Sequence, residues 1–176
     1  MKKFTLTIFA FLSLSLFIGC AVQHTVYNNF RLLKDYNEFS NTTQYYTYGN
    51  DLTAFFSLDI IKSLNKGNEY AFIIRCMSEN WLFITEDSLQ IKFENNEIIK
   101  LPTIGEPKRR VMAGYVFEEL YYLTDLTTIQ KVINSSLCKI QIISEKGYTI
   151  KEIPKSWKIN ATSFLKYCVD QEKLKK

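Results

Sequence analysis

The chain predicts an α+β fold: a mainly antiparallel, sandwich-like β core with two short helices in its C-terminal half. Three observations predict it. Aromatic residues are abundant, with 13 Phe, 11 Tyr and 2 Trp, while Gly (6) and Pro (3) are scarce, a composition that favours strands and opposes disorder. Apolar residues alternate with period two between turn-rich breaks. From Val111 onward the order reads strand, helix, strand, strand, helix, which a pure sandwich does not show.

Phe30-Arg31-Leu32-Leu33 opens the folded part. Asn41 to Tyr48 is rich in Thr and Tyr and predicts an extended strand, which Gly49-Asn50-Asp51 breaks. In Ala54 to Leu64, Phe56, Leu58 and Ile60 share one parity, and Ser57, Asp59 and Ile61 share the other. After the turn Asn65-Lys66-Gly67-Asn68, Tyr70 to Met77 returns with Phe72, Ile74 and Cys76 against Ile73 and Arg75, which predicts a hairpin. Ser88 to Phe93 alternates cleanly and returns as Ile98 to Leu101 through Glu94-Asn95-Asn96-Glu97, where Asn tolerates positive φ. Pro102 to Arg110 reads as a loop ending in Lys108-Arg109-Arg110, and Val111 to Tyr122 as one long strand. Thr124 is the expected cap of a helix over residues 124–134 with Leu126, Ile129, Val132 and Ile133 as its apolar stripe. Leu137 to Ser144 and Tyr148 to Ile153 read as strands, the second ended by Pro154. Asn160 or Thr162 is the expected cap of a last helix packed through Phe164, Leu165, Tyr167, Cys168 and Val169, with a charged tail from Gln171 that frays.

The N-terminus carries an address. Met1-Lys2-Lys3 is a positive leader, Phe4 to Ile18 is apolar, and Gly19 precedes Cys20, the three-part layout of a secretory signal. The apolar run is shorter than the roughly 20 residues a spanning helix needs. Leu16-Phe17-Ile18-Gly19-Cys20 resembles the lipobox of bacterial lipoproteins, with Phe17 where Leu is usual. The resemblance implies cleavage before Cys20, lipid on that cysteine and a membrane anchor, because two or more acyl chains hold a protein stably. Ala21, rather than Asp, then points to the outer membrane rather than the inner. The expected organisation is a signal peptide over 1–19, a lipidated tether over 20–29 and a single α+β domain over 30–172.

Removing 19 of the 176 residues leaves about 157, which suits one domain, with 20 basic side chains against 18 acidic ones once Lys2 and Lys3 are gone. So small a net charge argues against a nucleic-acid partner. Besides Cys20 there are Cys76, Cys138 and Cys168, an odd number that leaves at least one free thiol; one bridge and three buried thiols are both open.

The body resembles a loosely defined group of small bacterial envelope proteins of unknown function. The pieces that match are Trp81-Leu82-Phe83-Ile84, the hairpin Ser88 to Leu101, and Val116-Phe117-Glu118-Glu119-Leu120-Tyr121-Tyr122, over residues 70–168. The group brings no catalytic residues.

Most chemistries lack their residues. The only histidine, His24, lies in the tether, which removes the base from Ser-His or Cys-His catalysis and a common ligand from metal sites. Glycines are scattered, so no phosphate loop forms. Glu118-Glu119 is the one adjacent carboxylate pair, and strand neighbours point to opposite faces, so the two cannot flank one bond. No cofactor, metal or catalytic residue is expected. Tyr45, Tyr46 and Tyr48 with Trp81 are the candidate binding surface, set against ordinary strand packing. Lys108-Arg109-Arg110 is a candidate for acidic partners, set against a solvated loop. The expected function is a lipid-anchored, non-catalytic envelope module with a protein or glycan partner. The alternative is an envelope hydrolase or lipid-handling protein using Glu118, Glu119 or Asp125.

Overall fold

The computed structural model describes residues 30–37, 42–53, 55–64 and 69–174. The expected signal, Cys20 and the tether with His24 lie outside the described residues. The order is β1 (Arg31–Asn37), β2 (Thr42–Tyr48), β3 (Asp51–Thr53), β4 (Phe56–Ser63), β5 (Glu69–Ser78), β6 (Ile84–Phe93), β7 (Ile98–Lys100), β8 (Thr103–Met112), β9 (Tyr115–Thr124), α1 (Leu126–Asn134), β10 (Cys138–Ser144), β11 (Gly147–Glu152) and α2 (Lys155–Lys173).

The strands make two antiparallel sheets. The larger runs β1-β2-β4-β5-β9-β8, with β3 also on β4; the smaller runs β11-β10-β6-β7. The α+β class and sandwich-like core predicted from composition and periodicity are those of the structure. The expected hairpins β4–β5 and β6–β7 form, with Ser63 opposite Glu69 and Lys92 opposite Ile98. One core joins Leu58, Ile60, Phe72, Ile74 and Leu120 of the large sheet to Leu89, Ile91 and Ile140 of the small one, and to Ile129, Trp157 and Phe164 of the helices. Trp157 is fully buried and donates its indole N–H to the Leu58 carbonyl at 2.6 Å, which ties α2 to the centre of the large sheet. Cys76, Cys138 and Cys168 are free and buried.

Several expected boundaries are corrected. Residues 102–110 are not a loop: β8 occupies all but Pro102, with a register shift between Ile104 and Lys108 around Gly105 (φ 70). Pro107 is tolerated because β8 is an edge strand. Val111 to Tyr122 is not one strand, because Ala113 (φ 51) and Gly114 (φ 82) turn the chain back and pair Met112 with Tyr115. Asp125, not Thr124, caps α1: its Oδ1 accepts the Thr128 N–H at 2.6 Å. Leu126 of the expected stripe is 39% exposed. Neither Asn160 nor Thr162 caps α2, which starts after Pro154 and spans 19 residues. Pro154 is the N-cap, with an extended backbone (φ −72, ψ 157), and fits there because it has no N–H to leave unsatisfied. The α2 stripe is Trp157, Ala161, Phe164 and Cys168, while Val169 is exposed. The helix continues into the expected tail, where Glu172 pairs with the buried Lys62.

Candidate functional site

The seam between the sheets is organised by Glu118 of β9, which is buried. Its Oε1 accepts the backbone N–H groups of Leu82 (2.6 Å) and Phe83 (3.0 Å), and its Oε2 accepts that of Ile84 (3.0 Å). Three successive N–H groups converging on one anion form a nest. Phe83 takes φ 54 to make it. Arg109 of β8 reaches the same place, with Nε 3.4 Å from Glu118 Oε2 and Nη2 3.4 Å from the Ile84 carbonyl. Two stretches far apart in the sequence, Trp81-Leu82-Phe83-Ile84 and the Glu118 strand, are thus one unit. Both oxygens of Glu118 are fully engaged, which suits a structural anion.

The second concentration of functional groups covers the outer face of the large sheet. The strand register lines its side chains up in rows. Asp35, Gln44, Ser63 and Glu69 stand opposite one another across β1, β2, β4 and β5. Beside them runs an apolar row of Leu33, Tyr46, Ile61, Ala71 and Leu123. A third, mixed row crosses Asp59, Ile73, Tyr121 and Ile104, and a fourth crosses Ser57, Arg75, Glu119 and Lys108. Laid flat, the five strand intervals from β1 to β8 would span about 24 Å. Yet Asp35 of β1 and Ile104 and Lys108 of β8 line one cavity of about 470 Å³. The sheet therefore curls, and its outer face is a trough.

A charge relay crosses the trough. Arg75 donates from Nη1 to Asp59 Oδ2 at 2.5 Å and from Nε to Glu119 Oε2 at 2.7 Å, and its guanidinium stacks 5.2 Å from the Tyr48 ring centre. Asp59 is fully buried and also accepts Thr47 Oγ1, the Asn50 N–H and Ser57 Oγ. Burial pushes its carboxyl up, against the pull of Arg75 and these donors. Burial also raises Glu119, but the Tyr121 hydroxyl at 2.6 Å, Arg75 and Lys108 outweigh it and hold Glu119 below the usual carboxylate range. Glu118 and Glu119 border one hollow of about 160 Å³ with Arg75, Lys108 and Arg109.

The sequence-derived surface is divided. Tyr45 is fully buried and meets Tyr167 edge to face at 5.6 Å. Tyr46 and Tyr48 face the trough, as their parity with Gln44 requires. Trp81 lies in the β5–β6 connection, 6.2 Å from the Phe83 ring. Asp125 is the α1 cap. Lys108, Arg109 and Arg110 each lie over a ring, of Tyr121, Phe83 and Phe117 respectively. Sequence reasoning missed Asp59 and Arg75; the available signal was a charge of each sign at the centre of paired apolar strands. Burial pushes the thiols of Cys76 and Cys168 up to about 12 and that of Cys138 to about 11, so they are poor nucleophiles. Among the described residues, no group of three or more His, Cys, Asp or Glu is placed to hold a metal, and no helix is long and apolar enough to cross a membrane. No protein family, curated protein or solved structure matches the chain.

Proposed function

We propose that the protein is a lipid-anchored module of the bacterial envelope, held through Cys20 at the outer rather than the inner membrane, that binds a protein or glycan partner without catalysis. The observation that carries the non-catalytic reading is the commitment of the candidate acids. Glu118 closes the backbone nest, Glu119 is held by Arg75 and Tyr121, and Asp125 caps α1. A general acid or base must be able to exchange a proton with substrate, and these groups are occupied. The trough supplies the binding surface. Its apolar row of Tyr46, Ile61, Ala71 and Leu123 is flanked on one side by the polar row of Gln44, Ser63 and Glu69 and on the other by a mixed row of Asp59, Ile73 and Tyr121, an apolar centre with polar groups at its margins.

The test is crosslinking in intact cells from a photoreactive residue at Ile61, with partner identification, beside the same probe on the opposite sheet at Lys92. A stoichiometric envelope partner trapped only from Ile61 supports the reading. Turnover of a cell-wall or lipid substrate that Glu119→Gln abolishes would replace it with the hydrolase. The anchor is tested separately: a clickable fatty acid should tag the wild-type chain and not Cys20→Ser.

A further inference from the structure

We propose that the tip of the β8–β9 hairpin is a bilayer-contact element that sinks its apolar end among the headgroups of an anionic membrane. The hairpin outruns the sheet that carries it. The last β5–β9 pair is Ser78 with Val116, so residues 111–115 extend past the end of the β5 ladder. Those five residues, Val111-Met112-Ala113-Gly114-Tyr115, carry no charge. Val111 is 65% exposed, Met112 54% and Tyr115 40%. Val111 belongs to one face of the ribbon and Met112 and Tyr115 to the other. A tip that docks in a protein groove needs one apolar face; a tip immersed in lipid needs both.

The turn chemistry points the same way. Two-residue hairpin turns favour Asn, Asp or Gly at the first position. Ala113 stands there at φ 51, a conformation that costs a residue with a Cβ about 1 kcal/mol or more. Despite that cost, the position carries a methyl group where the turn would favour a polar side chain. Phe55, 54% exposed on the neighbouring turn, lines a hollow of about 330 Å³ with Met112 and Arg110.

Positive charge stands directly behind the apolar end. Arg110 precedes Val111, rests over the Phe117 ring and has no ion pair among the described residues. Lys146 lines the next hollow with Tyr115. The acidic groups bordering these hollows are Asp51 and Glu79. Apolar residues at the end, a tyrosine at the margin and cations behind match the layering of tails, interface and anionic headgroups. The contact does not require lipid on Cys20.

The test uses the full-length chain with Cys20→Ser, so that an engineered thiol is the reactive one. An environment-sensitive fluorophore is attached at Met112→Cys or, as control, at the exposed Ile150→Cys. Vesicles are phosphatidylglycerol with phosphatidylcholine, or phosphatidylcholine alone. The expected result is a several-fold emission increase at 112 with the anionic vesicles, quenched by spin-labelled lipid. Position 150 should not respond, and Arg110→Glu should reduce the anionic preference several-fold. No response at 112, an equal response at 150, or a rise at 112 with protein concentration in the absence of lipid would overturn the proposal, the last in favour of self-association. Lipidation is scored on the wild-type chain, so a failed tip and a failed anchor give different results.

Discussion

Glu118 Oε2 lies 3.0 Å from the backbone nitrogen of Ile84, and the two residues belong to different sheets. The carboxylate is a staple between layers that also meet through apolar contact and one buried hydroxyl pair, Ser88 of the small sheet with Tyr122 of the large one. Arg109 closes it from the edge, reaching both Glu118 and the Ile84 carbonyl.

Glu118→Gln should therefore be costly. The amide has one acceptor oxygen where the carboxylate has two, so at least one of the three N–H groups, of which that of Ile84 is buried, loses its partner. The expected loss is about 2–3 kcal/mol, read as a lower urea midpoint with an unchanged slope. A loss under about 0.5 kcal/mol would mean that the nest closes without the anion.

Arg75→Met should cost about 3 kcal/mol, because it leaves Asp59 buried without its cation while Thr47, Asn50 and Ser57 remain as donors. Glu119→Gln, at a partly exposed position, should cost about 1 kcal/mol. Equal losses in the two variants would show that Asp59 does not depend on Arg75.

Part of the acid limb of the stability curve follows from Glu119 and Asp125, beside the exposed Glu97, which Lys131 also holds low. Both carboxyls are held below their usual range, Glu119 as described above and Asp125 by the Thr128 N–H of the cap. Their contribution is complete above the unfolded values near pH 4 and is lost as pH falls through the lower folded values. The double variant Glu119→Gln/Asp125→Asn should flatten unfolding below about pH 4 and leave the slope near neutrality unchanged. Asparagine still caps α1.

Ala113→Asn should stabilise the fold by about 0.5–1 kcal/mol, since Asn accepts the left-handed backbone that alanine resists. Thermal unfolding would show it as a rise of a few degrees. A fall would place a packing role on the Ala113 methyl.

Where a turn carried its usual residues, the sequence was readable. Asn95-Asn96 marked the β6–β7 hairpin, and Asn96 does take φ 63. The β8–β9 turn was hidden because Ala113 is not a turn residue and apolar side chains flank it. Pro107 made β8 look like a loop, since its tolerance depends on an edge position that only topology supplies. The start of α2 was hidden behind Pro154, though Trp157, Ala161, Phe164 and Cys168 have helical spacing. The trough and the nest were not readable at all. One depends on curling of a six-strand path and the other on three backbone N–H groups, which no side-chain pattern records.

The central β5–β9 ladder joins Tyr70 to Thr124 and Ser78 to Val116, and the Trp157 bond reaches back 99 residues to Leu58. Kinetically, the middle of the large sheet cannot close until residues 116–124 meet residues 70–78, and α2 locks it across a still longer separation. Closing such long loops carries an entropic toll before any contact repays it, which slows folding. Until β9 arrives, the early hairpin β4–β5 waits with its β5 edge unpaired. Folding is therefore expected to be a late, concerted event rather than a stepwise one.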